Sequence, residues 1–299
     1  MSEVAGSGRR RTWVGAGTQL GTEVSINFGS ALAGVAIPFV GSPLVVAARQ
    51  LLMVAVLLPF YRPARAQLRW RRLWPAVALG VSLAAMNLAF YESVHLLGLG
   101  IAATIEFLGP LLLALATSRR LLDVACVVVA GAGVVLLTGL EGRIDGWGVA
   151  LALIAAAAWA SYIVLTRRVA LTLPGLEGLT VAGIVSLTLI LPLAAFTLPG
   201  ADFSWQVAGL LLAIGILSSV IPYALDTFIL RRITARLYAI ITSFGPVVAA
   251  VFGWLVLGER LDAVQLLAIL LVCVAAGTAI ATQRPAPTSE LERTAEGIT

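Results

Sequence analysis

Residues 87–120 read NLAFYESVHLLGLGIAATIEFLGPLLLALATSRR, two apolar segments separated by a short break that carries Gly98 and Gly100. Inside the second segment Glu106 has apolar residues on both sides and Gly109-Pro110 just after it. If this segment crosses a bilayer, a carboxylate near its centre costs roughly 2.5–3.5 kcal/mol on insertion scales. Pro110 has no N–H, so the carbonyl of Glu106, four residues earlier, loses its helical donor. One position thus combines an expensive side chain with a freed backbone acceptor. A buried carboxylate in a polar helix contact is the plain explanation. A substrate or proton site is the functional one, and ionisable groups within a membrane favour it.

The composition says that the segment does cross a bilayer. The chain has 299 residues, of which 60% are hydrophobic and 12% charged, and its mean hydropathy is +1.00. A soluble domain is about a quarter charged, so there is too little polar surface here to cover a water-soluble globule. The apolar runs are near 20 residues long rather than alternating strands of about ten, which predicts an all-α integral membrane protein. Cys126 and Cys273 lie in apolar runs without a partner spacing and read as inert helix residues. His95 is the single histidine, which leaves no histidine-based zinc or haem site; no cofactor and no metal are expected.

The apolar runs fall at about 17–38, 43–60, 74–94, 99–118, 121–139, 147–165, 178–198, 206–230, 237–257 and 261–281, ten predicted transmembrane helices. The first run, preceded by Arg9, Arg10 and Arg11, imitates a signal peptide, and Ala31-Leu32-Ala33 imitates a cleavage site. It contains Glu23 and Asn27, exceeds the length of a signal core and is needed for the repeat described below, so it is read as a retained helix. Residues 284–299 are rich in Pro, Thr and Glu and read as a disordered tail.

The net charge of +5 comes from arginine alone; the chain has no lysine. Seventeen of the arginines fall on one side of the predicted topology: the N-terminus, the loops with Arg62 to Arg72, Arg119-Arg120, Arg167-Arg168 and Arg231 to Arg236, and the tail. Arg143 and Arg260 fall on the other side, and Arg49 lies within a run. The positive-inside rule then places both termini in the cytoplasm of a cell whose inner, or plasma, membrane holds the protein. Arginines placed this way are a topology signal, so nucleic acid is not an expected partner. The expected partners are a small-molecule substrate, the lipid bilayer and, as an option, a second copy of the chain.

The sequence also repeats. FLGPLLLALA at 107–116 resembles SFGPVVAAVF at 243–252, an offset of 136, and RLLDVACVVVAGAGVVLLTG at 120–139 resembles RLDAVQLLAILLVCVAAGTAIA at 260–281. Two five-helix repeats are predicted, 1–140 and 141–283, and an odd helix number forces opposite topology on them. Inverted repeats are the signature of secondary transporters, with the substrate near midplane and a rocking motion between outward and inward states. Chance similarity between small-residue apolar stretches is the alternative; the matched Gly-Pro pairs weigh against it.

A rise of 1.5 Å per residue puts Glu106, Arg49, Asn27 and Asn87 near one depth. Asn87 and Tyr91 are spaced by four and share a helix face. Arg49 has the shape to hold a substrate carboxylate bidentately, and Glu106 the charge to hold an ammonium or a proton; an ion pair between the two in the empty protein is the structural alternative. Glu23 is a second candidate for proton coupling, against a solvated helix-end carboxylate. Pro222 frees the carbonyl of Ser218, and Pro246 that of Thr242, the repeat partner of Glu106. With Pro110 they are the predicted helix kinks. Trp159 and Tyr162 interrupt an alanine-rich run and line the cavity or simply pack. An intramembrane enzyme would need an acidic pair, an activated nucleophile or a metal site, and none is convincing here. A passive scaffold would have no use for the costly polar groups.

These residues resemble the drug/metabolite transporter superfamily, EamA type, in its threonine/homoserine exporter branch. The likeness runs through NLAFYESV, LGLGIAATIEFLGPLLLAL and SRRLLD, then AWASYIVLTRR, ILSSVIPYALD and LGERL. It implies a ten-helix inner-membrane exporter of small amino acids, with Glu106 in or near the translocation path; export of another metabolite or of a drug is the alternative within the class. One departure is Gly245, where the branch carries an acidic residue before the second-half proline, so that Glu106 has no counterpart carboxylate.

Overall fold

The computed structural model describes residues 2–63, 69–116, 120–138, 145–230 and 232–282, without the side chains at 2–11, 114–115, 138, 223, 226–228, 230, 235–236 and 280. Arg65, Arg119, Arg143, Arg231 and the tail from Arg284 lie outside the described residues, as do the side chains of Arg9 to Arg11, Asp226 and Arg236.

All regular structure among the described residues is helical. The first series is α1 (Ser2–Val40), α2 (Ser42–Leu57), α3 (Trp70–Leu97), α4 (Leu99–Glu106), α5 (Leu108–Ala116) and α6 (Leu121–Thr138). The second is α7 (Gly146–Thr172), α8 (Glu177–Thr197), α9 (Trp205–Gly215), α10 (Ile221–Leu230), α11 (Ala235–Thr242), α12 (Gly245–Leu257) and α13 (Ala263–Thr282). Five spans are long and apolar enough to cross a membrane: Thr12–Val40, Trp70–Leu97, Gly146–Thr172, Glu177–Gly200 and Leu237–Leu257; five further apolar helices are shorter.

The surface fits a bilayer. Phe196, Leu121 and Val274 are 88%, 84% and 65% exposed, on helices whose other faces are packed, and extensive apolar exposure of this kind marks a surface that meets lipid or another apolar partner. Trp70, Trp147 and Trp205 are exposed at the first or second residues of α3, α7 and α9, the level at which indole rings settle at a membrane–water interface.

Three of the predicted runs are interrupted, each next to a proline. The run at 99–118 breaks at Phe107, between α4 and α5, with Pro110 three residues on; the run at 237–257 breaks at Ser243-Phe244, with Pro246 two residues on. The two breaks follow Glu106 and Thr242, residues at the repeat offset of 136, and the two short helices that end there, Leu99–Glu106 and Ala235–Thr242, have the same length and the same offset. The run at 206–230 contains a π-helical turn, Ile216–Val220, just before Pro222. In each case the missing proline N–H removes the bond that would hold the preceding turn. The first run is longer than expected: α1 extends back to Ser2, since no proline stands in its way before Pro38.

Interhelical packing is paired. α3 lies on α7 as α1 lies on α9 and α10; α3 lies on α8 as α9 lies on α2; α4 and α5 contact α7 as α11 and α12 contact α1. α2 packs on α8, α4 on α12 and α6 on α13. These contacts are close because the contact residues are small. At Gly109 a Cβ atom would stand 2.1 Å from the carbonyl oxygen of Ala156, so α5 touches the backbone of α7 there.

That contact makes a stability prediction. Gly109→Ala forces α5 and α7 apart and is expected to cost about 1–3 kcal/mol, the usual size of an overpacking penalty. Gly131→Ala is the control, because nothing lies within 4 Å of a Cβ at Gly131. Thermal unfolding in detergent should show a lowered midpoint for the first variant and an unchanged one for the second.

Candidate functional site

The site begins with the turn before Pro222. Ile221 donates its N–H five residues back to the carbonyl of Ile216, the bond that defines the π turn. The carbonyl of Leu217 is thereby left without a helical donor. Pro222 has no N–H to give to the carbonyl of Ser218. In lipid each orphaned carbonyl costs several kcal/mol, so both need donors from elsewhere. Ser25 Oγ of α1 donates to the Leu217 carbonyl at 2.8 Å, and Arg49 Nη2 of α2 donates to the Ser218 carbonyl at 3.0 Å. Gly29 lets α1 approach this turn: a Cβ there would stand 2.2 Å from Ser218 Oγ.

Arg49 is held on its other edges too. Nε donates to Ser219 Oγ at 3.1 Å, and Nη1 donates to Asn87 Oδ1 at 2.9 Å and to Tyr91 Oη at 2.6 Å. Asn87 and Tyr91 share one face of α3, as their spacing predicts. Asn87 Nδ2 donates to the Leu83 carbonyl at 2.8 Å, which fixes its amide so that oxygen faces the guanidinium. Tyr91 is fully buried, with Ser30 Oγ 3.5 Å from its hydroxyl. Of the five N–H groups of Arg49, four point at these acceptors. A bidentate grip on a carboxylate therefore requires one of these partners to be displaced.

Glu106 closes α4. Among the described residues it has no hydrogen bond and no ion pair; Arg49 acts on it only through space. The Arg49–Glu106 ion pair considered from the sequence is not formed, because the guanidinium is committed to serine, asparagine and tyrosine. Glu106 instead faces a cavity of about 250 Å³ that it shares with Arg49, Asn27, Asn87, Trp159 and Tyr162. Phe107 and Trp159 form its aromatic flank, their rings 5.3 Å apart at 75°. Pro222 and Pro246 line the same cavity; Pro110 sits in α5 behind the break and makes none of its lining.

The other end of the cavity reaches Thr242 and Tyr238 on α11. Glu23 also lines it, and it is buried, 6% exposed, so it is not a solvated helix-end group. Gln19 Nε2 donates to Glu23 Oε1 and to Thr242 Oγ1, both at 3.1 Å. Glu23 Oε2 lies 3.5 Å from where a Cβ of Gly245 would be. A carboxylate thus stands beside the second break as well, but it comes from α1. Asn27 Nδ2 donates to the Glu23 carbonyl at 2.9 Å and leaves its oxygen for the cavity.

Tyr91 is the one expected substrate-binding residue that the cavity lining omits: it is screened behind Arg49 and supports it. Several contributors were not legible beforehand: Gln19, Ser25, Ser219 and Tyr238. The signal for Ser219 was present in Pro222, which marks a turn with unusual carbonyls. Gln19 and Tyr238 carry no such mark, since a lone polar residue near a helix end is more often at the interface.

A helical multi-pass membrane protein whose broken helices surround a buried polar chamber is a transmembrane transporter in class. The EamA-like transporter family matches at residues 146–281. The chain is 35% identical over 272 residues to the threonine/homoserine exporter RhtA of Escherichia coli (strain K12), over 90% of this chain and 92% of that protein. It is also 35% identical over 266 residues to the exporter of the same name from Salmonella typhimurium (strain LT2), over 88% and 90% of the two chains. A solved structure described only as a crystal structure of protein superposes with a TM-score of 0.56 at 20% identity, covering 92% of this chain and 96% of the other, and carries the fold alone. The protein belongs to the EamA-like transporter family, a family of transporters and not of enzymes.

The anchoring of Arg49 generates a prediction that needs no substrate. Tyr91→Phe removes the 2.6 Å bond and leaves a buried charge short of an acceptor, at an expected cost of about 1–3 kcal/mol. Arg49→Lys loses the planar fork and is expected to cost more. Both should lower the unfolding midpoint of the purified, solute-free protein; unchanged midpoints would mean that Arg49 does not hold the π turn.

Proposed function

We propose that the protein exports small amino acids of the threonine/homoserine type across the inner membrane by alternating access, with proton antiport through Glu106. The observation that carries this reading is the pair of unequal poles in one cavity: a carboxylate without a partner among the described residues and a guanidinium fixed by its own acceptors. An amino acid presents an ammonium and a carboxylate. The ammonium fits Glu106, with the faces of Trp159 and Phe107 beside it. The carboxylate fits the free N–H of Arg49, and a full bidentate contact follows if it displaces the Ser218 carbonyl or Ser219. Asn27 and Asn87 offer polar atoms for a short hydroxylated side chain.

Small-molecule pockets run to roughly 300–1,000 Å³, and a cavity of about 250 Å³ suits a small metabolite. The names of the two enterobacterial relatives supply the substrate class. In antiport the ammonium displaces a proton from the Glu106 carboxyl on the cytoplasmic side, and after release the carboxylate takes up a proton from the other side. Glu23 is the second proton-carrying group in this scheme.

Alternating access rests on ten membrane crossings arranged as two inverted five-helix repeats, 1–140 and 141–283. The equal offsets of α4 and α11 and the paired helix contacts support it, as does a family match that begins at residue 146. The arginine-rich loops support cytoplasmic termini.

Solute counterflow in proteoliposomes tests the reading. Threonine and homoserine should exchange, while sugars, purines and cationic drugs should not. Glu106→Gln should lower exchange about tenfold or more, the worth of one charge-assisted contact, and flatten its pH dependence. Undiminished, equally pH-dependent exchange by Glu106→Gln would falsify the role of this carboxylate.

A further inference from the structure

The short helix that carries Glu106 is held at its other end by a carboxylate from a distant part of the sequence. α4 begins after Gly98, whose φ of +85° turns the chain sharply out of α3. Leu99 N–H donates to Glu259 Oε1 at 2.5 Å and Gly100 N–H donates to Glu259 Oε2 at 3.2 Å. The first N–H groups of a helix have no intrahelical acceptor and carry the positive end of its dipole, so a carboxylate there is well placed. Glu259 reaches them because α12 is capped by Gly258, in the left-handed region at φ +69°, and Glu259 N–H folds back onto the Gly253 carbonyl at 3.0 Å.

Both contact surfaces are cleared for this one side chain. A Cβ at Gly253 would stand 2.2 Å from Glu259 Oε2, and one at Gly98 would stand 2.9 Å from its carboxyl carbon. Burial pushes the Glu259 carboxyl above its ordinary value, and the two amides work against that shift. The corresponding helix of the second series has a different cap: α11 is capped by its own Thr234, which accepts from Leu237 N–H. Among the described residues the clasp is therefore one-sided.

We propose that Glu259 is a positioning residue that ties the outer end of α4 to α12, so that the outer side of the cavity stays closed and Glu106 stays within it, until the clasp opens in the outward-facing state. α4 can move as a unit because it is jointed at both ends, at Gly98 and at Phe107. Below the clasp, Leu99 and Ala102 of α4 meet Ala249, Phe252 and Val256 of α12, an apolar seal on the side of the cavity away from the arginine-rich loops. The proposal rests on the transport reading for its two states and on the arginine-based orientation for the word outer.

Side-specific labelling tests it in the full-length protein. Ala103 lines the cavity on α4, and the two native cysteines are buried, so Ala103→Cys in a Cys126→Ser, Cys273→Ser background reports access. Glu259→Ala and Gly253→Ala should each raise labelling by an impermeant thiol reagent from the outer side about tenfold, the scale set by losing hydrogen bonds to a charged group, and lower it from the cytoplasmic side. Glu259→Gln, which keeps one oxygen as an acceptor, should fall between parent and Glu259→Ala. Gly253→Ala displaces the carboxylate without removing it and decides the matter if Glu259→Ala does not fold. Unchanged labelling in monodisperse protein, or a rise from both faces, overturns the proposal. No substrate enters this assay, so a failed counterflow experiment leaves its outcome readable.

Discussion

A membrane-embedded proline leaves a backbone carbonyl that the next turn cannot satisfy, and the centre of this protein is arranged around that constraint. Pro222 creates the need at Ser218, and the π turn creates a second need at Leu217. Donors arrive from α1 and α2, which fixes the approach of those helices to α9 and α10. Arg49 is the costly donor. A guanidinium within a bilayer is tolerated when it is paired with acceptors such as backbone carbonyls, and with Asn87, Tyr91 and Ser219 four of its five N–H groups are so directed. The residue thus stabilises the turn, links the two series of helices and presents a positive pole to the cavity.

The asymmetry of the cavity follows from the same geometry. The breaks after Glu106 and Thr242 are the same backbone device at the same offset, but only one ends in a carboxylate. Glu23 from α1 stands beside the other break and reaches Thr242 through Gln19. Two similar backbone breaks therefore present different chemistry to one cavity. The caps of the short helices differ as well, α4 by a carboxylate from α12 and α11 by its own threonine.

Much of the fold was readable in the residues because membrane solvation is a strict constraint. Runs of about 20 apolar residues are helices in a bilayer by necessity. The prolines located the breaks, and Ser218 was legible as a freed carbonyl before its partner was known. The site was readable in depth alone: Glu106, Arg49, Asn27 and Asn87 do meet in one cavity. Their bonding was not readable, because azimuth around a helix depends on which neighbour it packs against. Arg49 turned to the π turn and away from Glu106 for that reason, and Glu23 proved buried.

The sequence by itself determined an all-helical membrane protein, the positions of its breaks and the short list of costly groups. Those follow from local covalent facts, a missing N–H or a charge within an apolar run, that no packing can remove. Tertiary structure alone decided which acceptor each donor received, that Tyr91 stands behind Arg49, and that Glu259 caps a helix 159 residues away from it in sequence. Such pairings are settled when two helices approach closely enough for one side chain to answer the other's unsatisfied backbone, and that distance is a property of the packed molecule.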